Sequence, residues 1–341
     1  MSDARFWGFY SICGMLMRIR QLYMHEHALM PWDTVSNELI LPWISEQEAK
    51  WDRMEDEQFG NIQIDGVQFT PFDVEGVNAR LNPHGILYGA GLGLHHKPTF
   101  FLGRLLNIST INNCTVYITG EEFVRDLFAS PAMLQGSSIY VRLRPLYSIL
   151  YEKFAELQGR KPNPILADAF RGLGLDPKAP VTDDFPARFT ALAADVSKIL
   201  IAHEAAEYVE DAAANTWIEI LDGSKSRFVE IYIRAMKDLL ADTSQAGPLR
   251  HIIDTQDKAM LAFYVALLDN ARIELFPEIT PAYEEFSATG NWQSIEYARG
   301  TAYARAKKFR QDTLSLWKTD PDTDIIETHI KSFLKNIKDA L

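Results

Sequence analysis

Cysteine is nearly absent: Cys13 and Cys114 are the two in 341 residues. Two isolated cysteines build neither a disulfide framework nor a thiolate metal site, so a reducing, cytoplasmic compartment is the expectation. Runs of positive charge are missing as well. Thirty-four Lys plus Arg stand against 46 Asp plus Glu, a formal net charge of −12, and no basic arm offers itself to a phosphate backbone. Nucleic acid is therefore not an expected partner. No apolar run is long enough to span a bilayer: Phe6 to Met17 covers about a dozen residues and Arg18 and Arg20 end it. A signal peptide would need basic residues first and a small-residue cleavage site afterwards, and Met24-His25-Glu26-His27 after the run supplies neither. The sequence also lacks a G-x-S-x-G elbow, a Walker A loop and zinc-ribbon spacing.

What is there is an ordinary globular mixture, 47% hydrophobic and 23% charged, in a chain long enough for two domains. The patterning predicts an α+β protein, with a mixed α/β domain over 1–160 and an all-helical domain over 161–341. In the first, 5–27 reads as an amphipathic helix, a surface for a protein partner or for self-association. Residues 45–57 read as a short acidic helix, and Ile62, Ile64 and Val67 alternate as in a strand. Thr119-Gly120-Glu121-Glu122 matches a capping box and predicts a helix running to Ser130-Pro131. Pro145 suits the first turn of a helix over Leu146 to Leu157. After a Pro- and Gly-rich stretch between 158 and 184, helices are predicted over 185–215, 225–240, 249–275, 280–287, 292–315 and 322–340, forming an antiparallel bundle.

The most informative stretch is Ala202-His203-Glu204-Ala205-Ala206-Glu207. Its helix carries an apolar stripe at Phe185, Phe189, Leu192, Val196 and Ile199, and steps of four and three extend that stripe to His203 and Ala206. Glu207 lies one turn beyond His203, so both project from the core-facing side, where a carboxylate must be paired or metal-bound. Glu204, pointing aside, is the candidate catalytic proton acceptor. The five residues resemble the HExxH helix of zinc peptidases with Glu207 in place of the second histidine, a resemblance that brings no fold with it. His251 and Asp254, three apart on the helix after Pro248, are the expected further ligands, giving a set of His203, Glu207, His251 and Asp254. Such a shell suits Zn, Fe or Mn.

The expected function is a metal-dependent enzyme, a hydrolase using metal-activated water on a small-molecule or peptide substrate. Two alternatives stand beside it. One is a non-enzymatic interaction or scaffold protein docking partners through its N-terminal apolar helix and the C-terminal basic face of Arg299, Arg305, Lys307, Lys308 and Arg310. The other is a non-haem iron redox protein. Two weaker constellations remain in the N-terminal half. His25 or His27 could join His84 and His95 in a composite site, the adjacent His96 facing the opposite side of a strand, and Gly89-Ala90-Gly91-Leu92-Gly93 superficially resembles a phosphate loop, though the every-second-residue spacing suits close packing in a sheet better.

Overall fold

The structure, a computed structural model, describes residues 2–6, 12–92, 97–159, 163–179, 182–210 and 214–339. The chain is α+β and divides into two units, Met1–Lys153 and Phe154–Leu341.

The first unit opens with α1 (Ser2–Phe6), α2 (Ile12–Glu26) and α3 (Asn37–Met54). Ser36 caps α3 by accepting from Glu38 N–H. Ile19, Leu22 and Tyr23 of α2 meet Ile40, Trp43 and Trp51 of α3 in one apolar cluster. A small hairpin follows, β1 (Ile62–Ile64) with β2 (Val67–Phe69). Its two-residue turn, Asp65-Gly66, has positive φ at both positions, the form that follows the twist of a hairpin. Then come α4 (Val74–Leu81), β3 (Ile86–Leu92), β4 (Pro98–Ile111), β5 (Cys114–Arg125), β6 (Ala132–Gln135) and β7 (Ser138–Arg142), before α5 (Leu143–Glu156), whose last turn belongs to the second unit.

The five long strands lie in the order β3-β4-β5-β7-β6, antiparallel except for β5 beside β7. Asn112-Asn113 makes the β4–β5 turn with φ of 46° and 66°, a conformation asparagine tolerates better than most residues. On the edge strand, the Asn78 side-chain amide accepts from Tyr88 N–H and donates to Tyr88 C=O, both at 2.8 Å. An exposed strand edge is thereby covered by a helix residue.

The capping-box expectation fails here. Residues 114–125 form β5, with Thr119 opposite Leu105 on one side and Arg142 on the other. Local chemistry favoured a helix start, but pairing on both sides and burial override it. Glu122 is buried and accepts from Arg142 Nε at 2.5 Å, while Thr119 donates to Val141 C=O.

Of the alternating glycines, Gly89 is a packing residue. Gly89 in β3 faces Phe101 of β4, and a β-carbon there would stand well inside contact distance of the Phe101 ring. Gly93 lies outside the described residues. Gly89→Ala is expected to destabilise the protein by about 1–3 kcal/mol through overpacking, measured by urea denaturation, whereas Gly85→Asn should be nearly neutral. Gly85 has positive φ but open space beside it, and asparagine tolerates that backbone.

The second unit is helical: α6 (Pro164–Gly172), α7 (Phe185–Glu210), α8 (Ala214–Gly223), α9 (Arg227–Thr243), α10 (Pro248–Thr255), α11 (Lys258–Leu267), α12 (Asn270–Leu275), α13 (Ile279–Thr289), α14 (Trp292–Thr319) and α15 (Thr323–Asp339). One end of the core is aromatic, Phe154, Phe170, Phe185 and Phe189 standing with ring centroids 5.2–6.3 Å apart. The expected single helix over 249–275 is three. Gln256 turns left-handed with φ 52°, and Asp257 and Asp269 are N-caps that accept from Met260 N–H and Arg272 N–H. A side chain that accepts from the third following N–H starts a helix, so these two aspartates divide the stretch.

Candidate metal centre

Two helices supply the site, each with polar groups four residues apart. On α7 the stripe that begins at Phe185, Phe189, Leu192 and Val196, all buried, reaches half-buried His203 and Glu207. On α9, set by its Ser226 cap and a buried face of Val229, Ile233, Met236 and Leu240, one further strip of surface carries Asp238 and Asp242. The two pairs face each other. His203, Glu207 and Asp238 each offer a ligand atom, and those three atoms lie within 4.8 Å of one another. Among the described residues this is the group of histidine, cysteine and carboxylate side chains placed to hold a metal ion.

The histidine is oriented from behind. His203 Nδ1 donates to Asp242 Oδ1 at 2.7 Å, which turns Nε2 toward Glu207 Oε1 at 3.5 Å. A donor separation near 3.5 Å matches the edge of a tetrahedron with bonds of about 2.1 Å, roughly 3.4 Å. Asp242, only 2% exposed, is itself held: Tyr264 O–H donates to Oδ2 at 3.1 Å and Arg272 Nη1 stands 3.7 Å from it. A ligand imidazole whose other nitrogen is fixed by a buried carboxylate is the usual outer support of a metal-binding histidine.

The electrostatics fit a site held together by opposite charges. Burial works against the His203 imidazolium, but the charge and hydrogen bond of Asp242, followed by those of Glu207, outweigh it, so the ring is protonated well beyond its ordinary range. Burial likewise opposes Glu207, yet His203 and then Lys237, whose Nζ donates to Oε2 at 3.0 Å, hold its carboxyl down to about 2. Glu204 and Asp238 behave in the opposite sense. Desolvation pushes Glu204 up to about 7 and Asp238 up to about 6, with His203 pulling against the rise and Glu207 adding to it. One cluster thus contains carboxylates driven apart in acidity by their surroundings, a pattern concentrated at functional sites.

The expected ligands divide. His203 and Glu207 are brought together, with Glu204 close enough to sense both charges. His251 and Asp254 are not brought in. The buried face of α10 is Leu249 and Ile252, so residues 251 and 254 share the solvent face. Exposed Asp254 accepts from Arg250 Nε at 3.1 Å. Beside His203 stand instead Asp238, which offers a ligand atom, and Asp242, which accepts from the imidazole. Their signal was present but faint: Asp242 is a lone acid inside Leu239-Leu240-Ala241-Asp242-Thr243-Ser244, a run buried throughout. A charge in such a run needs a partner.

Glu210 is engaged as well, accepting from Tyr303 O–H at 2.8 Å and pairing with Arg310 at 3.3 Å. Of the C-terminal basic residues, Arg299 pairs with Glu296 at 2.6 Å and Arg305 with Glu278 at 2.7 Å, while Lys307 and Lys308 are exposed. The N-terminal histidines are placed for other roles. His27 stacks on Tyr23 at 4.0 Å, and His84 is exposed. Burial, then Arg125, Arg144 and Arg142, lower His25 to about 4, an environment that repels a cation. His95 and His96 lie outside the described residues.

A cavity of about 230 Å³ opens beside the cluster, lined by Val196, Met260, Phe263, Leu267 and other apolar side chains together with His203, Asp238, Asp242, Tyr264 and Arg272. No helix among the described residues is long and apolar enough to cross a membrane.

Comparison with known proteins gives a family for both halves. Residues 1–142 match the N-terminal domain, and residues 147–334 the C-terminal domain, of a "Family of unknown function (DUF6866)". No curated protein and no solved structure matches the chain.

Proposed function

The chain belongs to the DUF6866 family, and from that starting point we propose that its C-terminal unit is a divalent-metal-binding unit. The observation that carries this reading is the convergence of His203, Glu207 and Asp238 within 4.8 Å, with Asp242 orienting the imidazole. One imidazole and two carboxylates suit Zn, Mn or Fe, and three protein ligands leave a position for a further group. His203 gives up its Nε2 proton when that nitrogen becomes a ligand, and Lys237 continues to balance the outer oxygen of Glu207. A bound ion would supply Lewis acidity and lower the pKa of water. Glu204, poised near 7, suits the role of proton acceptor, which is the chemistry of a hydrolase.

Mass-spectrometric metal analysis of protein purified without added ions tests the reading. The wild-type chain is expected to carry close to one equivalent of a first-row divalent metal, and His203→Ala to carry none while keeping its circular dichroism spectrum. Equal metal content in the two proteins would remove the site from α7.

A second reading, an interaction role for the N-terminal unit, is favoured by four apolar side chains in solvent. Leu16 and Met17 on α2 and Leu39 and Leu41 on α3 are 49–64% exposed. Exposed apolar side chains are a feature of association surfaces when they meet in one patch. On this reading the chain self-associates in sedimentation velocity, and Leu39→Glu with Leu41→Glu shifts it to the monomer. An unchanged sedimentation coefficient would count against it.

A further inference from the structure

We infer that the cavity beside the metal cluster binds a small apolar molecule ending in one carboxylate, of the aromatic or short branched-chain acid class. This rests on the metal reading and names what that site would take.

The lining argues for the shape of the ligand. Every polar residue of the wall belongs to one cluster: His203 and Tyr264 bond Asp242, Arg272 stands beside it, and Asp238 is within 4.8 Å of the His203 ligand atom. The remaining wall is apolar, including Val196, Ile199, Met260, Phe263 and Leu267. A ligand that fits has an apolar body against that wall and a polar end at the cluster, since a polar group set against the hydrocarbon would lose its partners.

Volume limits the body. A cavity of about 150 Å³ lined by aliphatic and aromatic side chains accepts benzene. The roughly 230 Å³ here therefore holds one ring, or a branched chain of similar bulk, and a head of a few atoms.

The head is set by charge. In the bare cluster the charges of Asp238 and Asp242 are balanced by His203 and Arg272, which leaves a carboxylate little net attraction. With a divalent ion on His203, Glu207 and Asp238 the balance becomes positive, and the ion offers a coordination position on the same wall as Arg272. An anionic head is consequently bound more tightly when the metal is present than when it is not, whereas an amine head would show the opposite preference.

Calorimetric titration of the full chain with benzoate, benzylamine and toluene, each with zinc loaded and in excess chelator, tests this. Benzoate is expected to bind the zinc-loaded protein at least about tenfold more tightly than the chelated protein, and more tightly than toluene or benzylamine. Leu267→Trp, which fills the half-buried side of the cavity, should weaken benzoate by at least about tenfold and leave zinc uptake unchanged. Ile199→Phe serves the same purpose if the tryptophan variant fails to fold. Zinc uptake without benzoate binding, equal benzoate affinity with and without zinc, or tighter binding of benzylamine would each overturn the inference while the metal reading stands. Failure to take up zinc would overturn the metal reading, and this inference with it.

Discussion

Asp242→Ala is expected to destabilise the metal-free protein by about 3–5 kcal/mol, the usual cost of breaking a buried ion pair by removing one partner. The side chain is 2% exposed and serves three neighbours. It accepts from His203 Nδ1 at 2.7 Å and from Tyr264 O–H at 3.1 Å, and faces Arg272 at 3.7 Å. Alanine leaves a buried imidazolium without its main counter-charge and a buried phenol without an acceptor. Asp242→Asn keeps an acceptor for Tyr264 but not the charge, so it should cost less than alanine. In the metal-bound protein the same asparagine should weaken metal affinity by about 10–100-fold, because the imidazole loses its orienting carboxylate. Urea denaturation in chelator reads the first effect and competitive metal titration the second. A cost below about 1 kcal/mol for alanine would show that Asp242 is not the support of His203.

Glu204→Gln is expected to raise the stability of the metal-free protein at pH 8 and to change it little at pH 5. The folded-state pKa of Glu204, about 7, lies above its ordinary 4.5, because burial penalises the charged form. The stability belonging to the protonated group is therefore fully present below pH 4.5 and is lost as the pH rises through 7. Glutamine cannot ionise and escapes that loss. A tenfold change in a group's acidity is worth about 1.4 kcal/mol, and with allowance for coupling inside the cluster the gain at pH 8 is on the order of 2 kcal/mol. Asp238→Asn should behave in the same sense over a slightly lower window, its folded value being about 6 against an ordinary 3.8. Glu207 runs the other way. Held down to about 2, it contributes stability above 4.5 that disappears as the pH falls toward 2. Denaturation curves at pH 5 and pH 8 test the sign for Glu204, and a Glu204→Gln effect equal at both values would contradict the assignment. Two carboxylates that cost the folded state free energy at neutral pH are what a binding site, rather than a packing device, would retain.

The α7 half of this site was legible from sequence because all its information lies in one helix. The stripe from Phe185 to Val196 fixes a face, and steps of three and four place His203 and Glu207 on it. The α9 half was not, because the contact of His203 with Asp242 joins residues 39 apart, and nothing local says which acid faces which histidine. His251 and Asp254 were attractive on spacing alone. The apolar pair Leu249 and Ile252 decides which face of that short helix is buried, and it is the other one. The α+β division and the helical character of the second half followed from the change in periodicity along the chain. β5 did not: Thr119-Gly120-Glu121-Glu122 carries helix-start chemistry, and only the neighbours β4 and β7 make it a strand. The single helix expected over 249–275 shows the converse, since Asp257 and Asp269 cap two further helix starts inside it.

On the proposed reading the metal is held by His203, Glu207 and Asp238, across α7 and α9. Zinc titration against a competing chromophoric chelator, on the wild type, Asp238→Asn and His251→Ala, tests it most directly. One equivalent should bind the wild type and His251→Ala with the same affinity, and Asp238→Asn should lose about 100-fold or more. Equal binding by wild type and Asp238→Asn, or loss in His251→Ala, would contradict it.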